Sequence, residues 1–192
     1  MFLYIHGFNS APASIKAQQL RNRLAALGRG AEFACPALSP WPDQAIGALE
    51  ALVRAQPAHD ITLVGSSLGG FYATWLAERH GCRAVLVNPA IDPHVGLESY
   101  LGPQRNLYTG DEYLLTPGHL DQMGAYFVPQ PTRPERYFLL ATTGDEVLDF
   151  RIAVDKYWHS PRVVVQGSDH GFAEFEQYVD AVIEFGDGGR SL

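Results

Sequence analysis

The chain has 192 residues, 46% of them hydrophobic and 18% charged, and its 14 lysines and arginines against 21 aspartates and glutamates leave a formal charge of −7. That length suffices for one domain, residues 1–192, with a single core that needs no metal or disulfide support. An acidic balance without a basic stripe argues against a nucleic-acid partner. Cys35 and Cys82 stand far apart, with no CxxC spacing and no histidine cluster nearby. They are expected to be buried free thiols, giving neither a zinc site nor a disulfide framework.

The first apolar run, Phe2 to Ile5, follows Met1 directly, with no basic segment before it and no small-residue cleavage site after it. No secretory signal is expected, no stretch reaches the roughly 20 apolar residues of a membrane span, and the expected address is the cytoplasm. Ser14 to Leu27 places Ile15, Leu20, Leu24 and Leu27 at helical spacing before Gly28, and a second strand is read over Glu32 to Leu38. Pro42 to Ala55 carries Ile46, Leu49, Leu52 and Val53 at helical spacing, Ile61 to Val64 reads as a strand, and Leu68 to His80 as a helix stopped by Gly81. Ala84 to Val87 is a fourth strand.

Residues 92–135 break this rhythm. Glycines and prolines recur through them, with Tyr100, Tyr108, Tyr113, Tyr126 and Phe127 between. The segment is read as an insertion covering the site as a lid, with aromatic side chains toward substrate; a packing flap with its own small core is the alternative. Strands resume at Tyr137 to Ala141 and Arg162 to Val165, with a helical pattern Phe150, Val154, Tyr157 between them. A last helix carries Phe172, Phe175, Val179, Val182 and Ile183, and Gly186 to Leu192 reads as a frayed tail. Six strands alternating with helices imply a mostly parallel sheet, covered on both faces, whose functional residues gather at the carboxyl ends of the strands.

At the end of the third strand stands Gly65-Ser66-Ser67-Leu68-Gly69. A nucleophile elbow is a strained strand-to-helix turn that needs glycine two residues either side of its serine. Only Ser67 meets that requirement, since the equivalent flanks of Ser66 are Val64 and Leu68. Chance produces such a pentapeptide in roughly one chain in ten of this length, so the motif needs partners.

A serine nucleophile needs a base and the base needs an orienting acid. Asp145 lies in the turn after the strand ending near Ala141, and His170 in the glycine-flanked loop after Val165. The order Ser67, Asp145, His170 is that of an α/β-hydrolase. Among the rival acids, Asp149 reads as a helix cap and Asp169, adjacent to the base, is expected to point elsewhere. His59, His80 and His159 fall in turns or helix ends and read as solvated, while His94 and His119 belong to the insertion and could at most touch substrate. The oxyanion of an acyl-transfer intermediate needs two donors. Leu68 N–H, after the nucleophile, and Phe8 N–H, in the early loop His6-Gly7-Phe8-Asn9-Ser10, are the candidates. Asn9, Asn88 and Tyr108 are the expected substrate-binding residues. No cofactor is called for, and no metal, because His6 and His170 lack a third ligand at suitable spacing.

Tyr4-Ile5-His6-Gly7-Phe8-Asn9-Ser10, the elbow with Gly70-Phe71-Tyr72-Ala73, Val87-Asn88-Pro89-Ala90, Thr143 to Asp149 and Gly167-Ser168-Asp169-His170-Gly171-Phe172 together resemble the YqiA-like esterases over nearly the whole chain. The resemblance implies an α/β-hydrolase fold, a minimal mostly parallel sheet with a short lid-like insertion, and a Ser67-Asp145-His170 triad. It also implies cofactor-free hydrolysis of a small-molecule carboxylic ester or thioester. The alternatives are an acyl-thioesterase or amidase with the same triad and a non-catalytic hydrolase-like binding module. Oligomeric state and natural substrate are left open.

Overall fold

The structure, a computed structural model, describes residues 1–188. From β1 (Phe2–Ile5) the chain passes through α1 (Ile15–Ala26), β2 (Phe33–Ala34), α2 (Pro42–Arg54), β3 (Thr62–Ser66), α3 (Leu68–His80) and β4 (Arg83–Val87). It continues through α4 (Pro93–Gly96), β5 (Gly102–Arg105), β6 (Glu112–Leu115), α5 (Pro117–Ala125), β7 (Tyr137–Thr142), α6 (Phe150–Lys156), β8 (Arg162–Val165) and α7 (Val179–Gly186). Six strands form a sheet in the order β2-β1-β3-β4-β7-β8, every neighbouring pair parallel.

Alternation along each strand explains why helices are needed on both faces. Leu3 and Ile5 point with Leu63, Leu86 and Leu139 toward α2, α3 and α6, while Phe2 and Tyr4 point with Val64, Val85 and Leu140 toward α1 and α7. On α1, Leu20 and Leu24 are fully buried, each contributing roughly 2 kcal/mol of burial free energy. Because all six strands run the same way, the loops after β1, β3, β4, β7 and β8 open on one rim.

Three sequence expectations change. The second strand shrinks to Phe33–Ala34, since Pro36 cannot donate to a ladder. The last helix begins with a 3-10 turn, Phe175–Tyr178, and becomes α-helical only at Val179, because Phe172 takes a positive φ of 55°. Gly186 and Asp187 are packed, not frayed. Thr62 Oγ1 donates to the Gly186 carbonyl at 3.0 Å, and Asp187 pairs with Arg29 at 2.7 Å. Residues 189–192 of the expected tail lie outside the described residues.

The insertion is more regular than its glycines and prolines suggest: β5 and β6 pair antiparallel as a hairpin, and α5 follows with Thr116 as N-cap and Pro117 in its first turn. Its aromatic residues fall into two groups. Tyr108 and Tyr113 face cavities beside the candidate site. Tyr126 packs edge-on against Trp75, and Phe127 against His94 and the Lys156 ammonium.

Candidate active site

Ser67 sits at φ 54°, ψ −122°, a conformation that non-glycine residues adopt only where the surroundings enforce it. Here the enforcement is close packing. A Cβ on Gly65 would overlap the Gly69 carbonyl, and one on Gly69 would overlap the Ile5 carbonyl, so the turn folds tightly over β1 only with glycine at both places. The Ser67 N–H donates to the Val87 carbonyl at 3.0 Å, and the Ser67 carbonyl accepts from Gly70 and Ala90. Ser66 ends β3 beside the Tyr4 hydroxyl.

The loops after β7 and β8 bring two further groups to Ser67. His170 Nε2 lies 3.1 Å from Ser67 Oγ, and His170 Nδ1 lies 2.8 and 3.0 Å from the two Asp145 carboxylate oxygens. Facing a carboxylate, Nδ1 is the protonated nitrogen, which leaves the Nε2 lone pair to accept from the serine hydroxyl. The Asp145 side chain is only 2% exposed. Burial pushes its pKa upward, but hydrogen bonds from His170 and from the Leu148 and Val147 N–H groups outweigh that effect and hold it below the ordinary aspartate value. Asp149 caps α6, accepting from the Arg151 N–H at 3.0 Å and pairing with its guanidinium.

The Phe8 and Leu68 N–H groups are engaged by no acceptor among the described residues. Phe8, Leu68 and Gly7 line a cavity of ≈ 290 Å³ together with Leu38, Tyr72 and Met123. Phe8 and Gly7 also line a second cavity, ≈ 570 Å³, into which Ser67, His170, Tyr108 and Lys16 open.

The three expected substrate-binding residues separate. Tyr108 lines the larger cavity and is 47% exposed. Asn9 lines both cavities, but its amide is engaged with the hairpin: Nδ2 donates to Gln104 Oε1 at 3.0 Å and Oδ1 accepts from the Tyr113 hydroxyl at 2.8 Å. Asn88 borders neither cavity and corrects the expectation. It is 3% exposed, and its Nδ2 donates to the backbone carbonyls of Asp169 and His170, both at 3.2 Å. Its Oδ1 accepts from the Thr142 N–H at 2.9 Å. Asn88 thus supports the loop that carries His170.

Sequence reasoning missed several members of this framework. Thr142, fully buried, donates its hydroxyl to the Asp169 carbonyl at 3.0 Å, and Glu146 Oε2 accepts the His170 N–H at 2.9 Å. That hydrogen bond, first among the causes, holds the Glu146 carboxyl below its ordinary range. The signal for Glu146 was its place beside Asp145; nothing in the sequence pairs Thr142 with a loop 27 residues away.

Two of the other histidines are built into the framework. His119 is 1% exposed, stacks on Trp41 with ring centroids 3.6 Å apart, and accepts the Thr116 N–H, while His80 is half-buried against Glu50 at 2.7 Å instead of solvated. Cys82 is buried and Cys35 only partly so; both are unpaired, and burial pushes their thiols up to about 11 and about 12. Among the described residues no group of three or more His, Cys, Asp or Glu side chains is arranged to hold a metal ion. No helix among them is long and apolar enough to cross a membrane.

Solved structures share this architecture at low sequence identity. Mouse alpha/beta hydrolase domain-containing protein 10 aligns with a TM-score of 0.72 at 16% identity, over 95% of this chain and 89% of its own. Est1E of Butyrivibrio proteoclasticus, solved with ferulic acid bound, aligns at 0.71 and 18% identity over 96% and 86%. The esterase domain of a Rhodothermus marinus protein aligns at 0.63 and 18% identity over 98% and 84%. The fold is that of the α/β-hydrolases, with a small antiparallel insertion. The model of the uncharacterised protein family UPF0227 matches residues 1–187, and the chain belongs to that YqiA-like family.

Proposed function

We propose that the protein is a serine hydrolase of carboxylic esters or thioesters, acting through an acyl-enzyme. The observation that carries this reading is the unbroken line Asp145–His170–Ser67, at 2.8 and 3.1 Å, ending at a serine that opens on a cavity of ≈ 570 Å³.

His170 Nε2 takes the Ser67 hydroxyl proton as Oγ bonds to the substrate carbonyl carbon. Asp145 stabilises the imidazolium and keeps its ring oriented. The Phe8 and Leu68 N–H groups hold the oxyanion; loss of one such donor costs about 3 kcal/mol of transition-state stabilisation. The intermediate collapses, the carbon–leaving-group bond breaks, and the leaving group departs with the proton from His170. Water then attacks the acyl-serine, His170 taking its proton and returning it to Ser67 Oγ as the acid is released. Leu38, Leu68, Tyr72 and Met123 offer an apolar bed for the acyl chain. The hairpin serves as a wall of the site, and the two unpaired thiols fit a cytoplasmic setting.

Ser67→Ala should abolish hydrolysis of an activated aryl butyrate and covalent labelling by a fluorophosphonate probe while the protein stays folded by circular dichroism. Most of the wild-type turnover surviving that change overturns the reading.

A further inference from the structure

Lys16 is the one lysine or arginine among the described residues lining the cavity that holds Ser67 and His170, in a chain whose net charge is −7. Its Nζ donates to the Gly171 carbonyl at 2.6 Å, one residue beyond the base. No carboxylate among the described residues stands within 4.0 Å of it, so two of its three donors have no protein partner.

Beside it, Ser14 lines the same cavity and is 9% exposed; its buried Oγ lies near the Tyr4 hydroxyl and makes no hydrogen bond of good geometry among the described residues. Ser14 is the N-cap of the 12-residue helix α1 but makes no side-chain cap bond, and the first turn of that helix carries no acidic residue. An ammonium with two free donors, a buried hydroxyl without a well-formed hydrogen bond and the electropositive end of a helix therefore converge on one wall, a combination suited to an anion.

The position of that wall relative to the base tells which part of a substrate it meets. A departing group must approach His170 Nε2 to take its proton, and Lys16 is anchored to the residue that follows His170. Resting on the serine hydrolase reading, we propose that Lys16 and Ser14 form a subsite for an anionic group, carboxylate or phosphate, carried by the leaving-group part of the substrate ester or thioester.

The groups facing Lys16 are Asp169, Asp145 and His170 on the loops after β7 and β8, with Tyr4 on β1 and Tyr108 on the hairpin. Burial lowers the Lys16 pKa to about 8, against the opposing pull of Asp169 and Asp145. The ammonium is charged below that pH and lost above it, so the subsite weakens as pH rises through about 8.

The test compares kcat/KM for 4-acetoxybenzoate and 4-acetoxyphenyl phosphate with that for methyl 4-acetoxybenzoate, which lacks the charge. Monophenyl glutarate against phenyl valerate places the charge on the acyl side instead. The wild type should favour the charged leaving groups. Lys16→Met should cut that preference at least fivefold through KM, and Lys16→Arg should keep most of it. The wild-type preference, which needs no variant, should fade above pH 8. The carboxylate and phosphate arms tell which anion is taken.

Three results overturn the subsite: no preference in the wild type, a preference on the acyl arm alone, or equal losses on charged and neutral esters in Lys16→Met, which would make Lys16 only a strut for the His170 loop. Failure of the wild type to hydrolyse any ester or to react with a fluorophosphonate would sink the hydrolase reading itself, a result distinct from those three.

Discussion

The two loops that meet at the site are held by opposite means. The turn carrying Ser67 is fixed by backbone packing, because Gly65 and Gly69 let β3, α3 and the end of β1 touch. The loop carrying His170 is fixed by side chains from elsewhere: Asn88 after β4 takes the Asp169 and His170 carbonyls, Thr142 at the end of β7 shares the Asp169 carbonyl, and Glu146 beyond it takes the His170 N–H. The proposed nucleophile is thus positioned by what its neighbours lack, whereas the proposed base needs polar partners from two other strands. Such a buried polar network is rigid only when every member is satisfied.

Four experiments probe that contrast, beginning with the largest effect. Asp145→Asn should lower kcat about 10⁴-fold through the wrong imidazole tautomer, with an unfolding midpoint close to that of the wild type; a loss under tenfold would mean that the Asn88–Thr142 framework orients His170 without the acid. Gly69→Ala should destabilise the protein by about 4 kcal/mol or more, the range of severe steric damage, and leave little soluble protein; a normal urea midpoint would contradict the steric account of the elbow. Asn88→Ala strands buried carbonyls and should cost about 2 kcal/mol, with kcat for an aryl ester falling more than KM changes.

The smallest effect is the acid response. Asp145 has a folded pKa below its unfolded value, so its contribution to stability is complete above the unfolded value, about 3.9, and is lost as pH falls through the folded one. Urea midpoints measured from pH 6 to pH 3 should therefore fall less steeply in Asp145→Asn than in the wild type. Parallel profiles would refute the linkage.

Legibility in the sequence follows the same division. β1, β8 and α3 match their expected limits, and Ser67, Asp145 and His170 meet as expected, because glycine spacing, apolar runs and chain order are local signals. Asn88 was misread as a substrate contact, since its three partners at 142, 169 and 170 are joined to it only by the fold. In the insertion, Thr116-Pro117 was a usable helix start, masked by the surrounding glycines and prolines. The Phe172–Phe175 spacing suits a 3-10 turn as well as an α-helix, and the turn at Phe172 decided between them.

All five non-glycine residues with positive φ among the described residues, Asn9, Ser67, Asn88, Ser168 and Phe172, lie just past β1, β3, β4 and β8. The opposite rim is fastened, with Arg29 bridging Glu32 and Asp187 and Thr62 holding Gly186. The molecule therefore has a polarity in how it comes apart. Amide exchange should be fast in the loops at the rim that carries Ser67 and His170 and slow at the starts of the strands, and partial opening should abolish the proposed hydrolysis well before the core is exposed. Activity would then report mild stress earlier than any spectroscopic measure of unfolding.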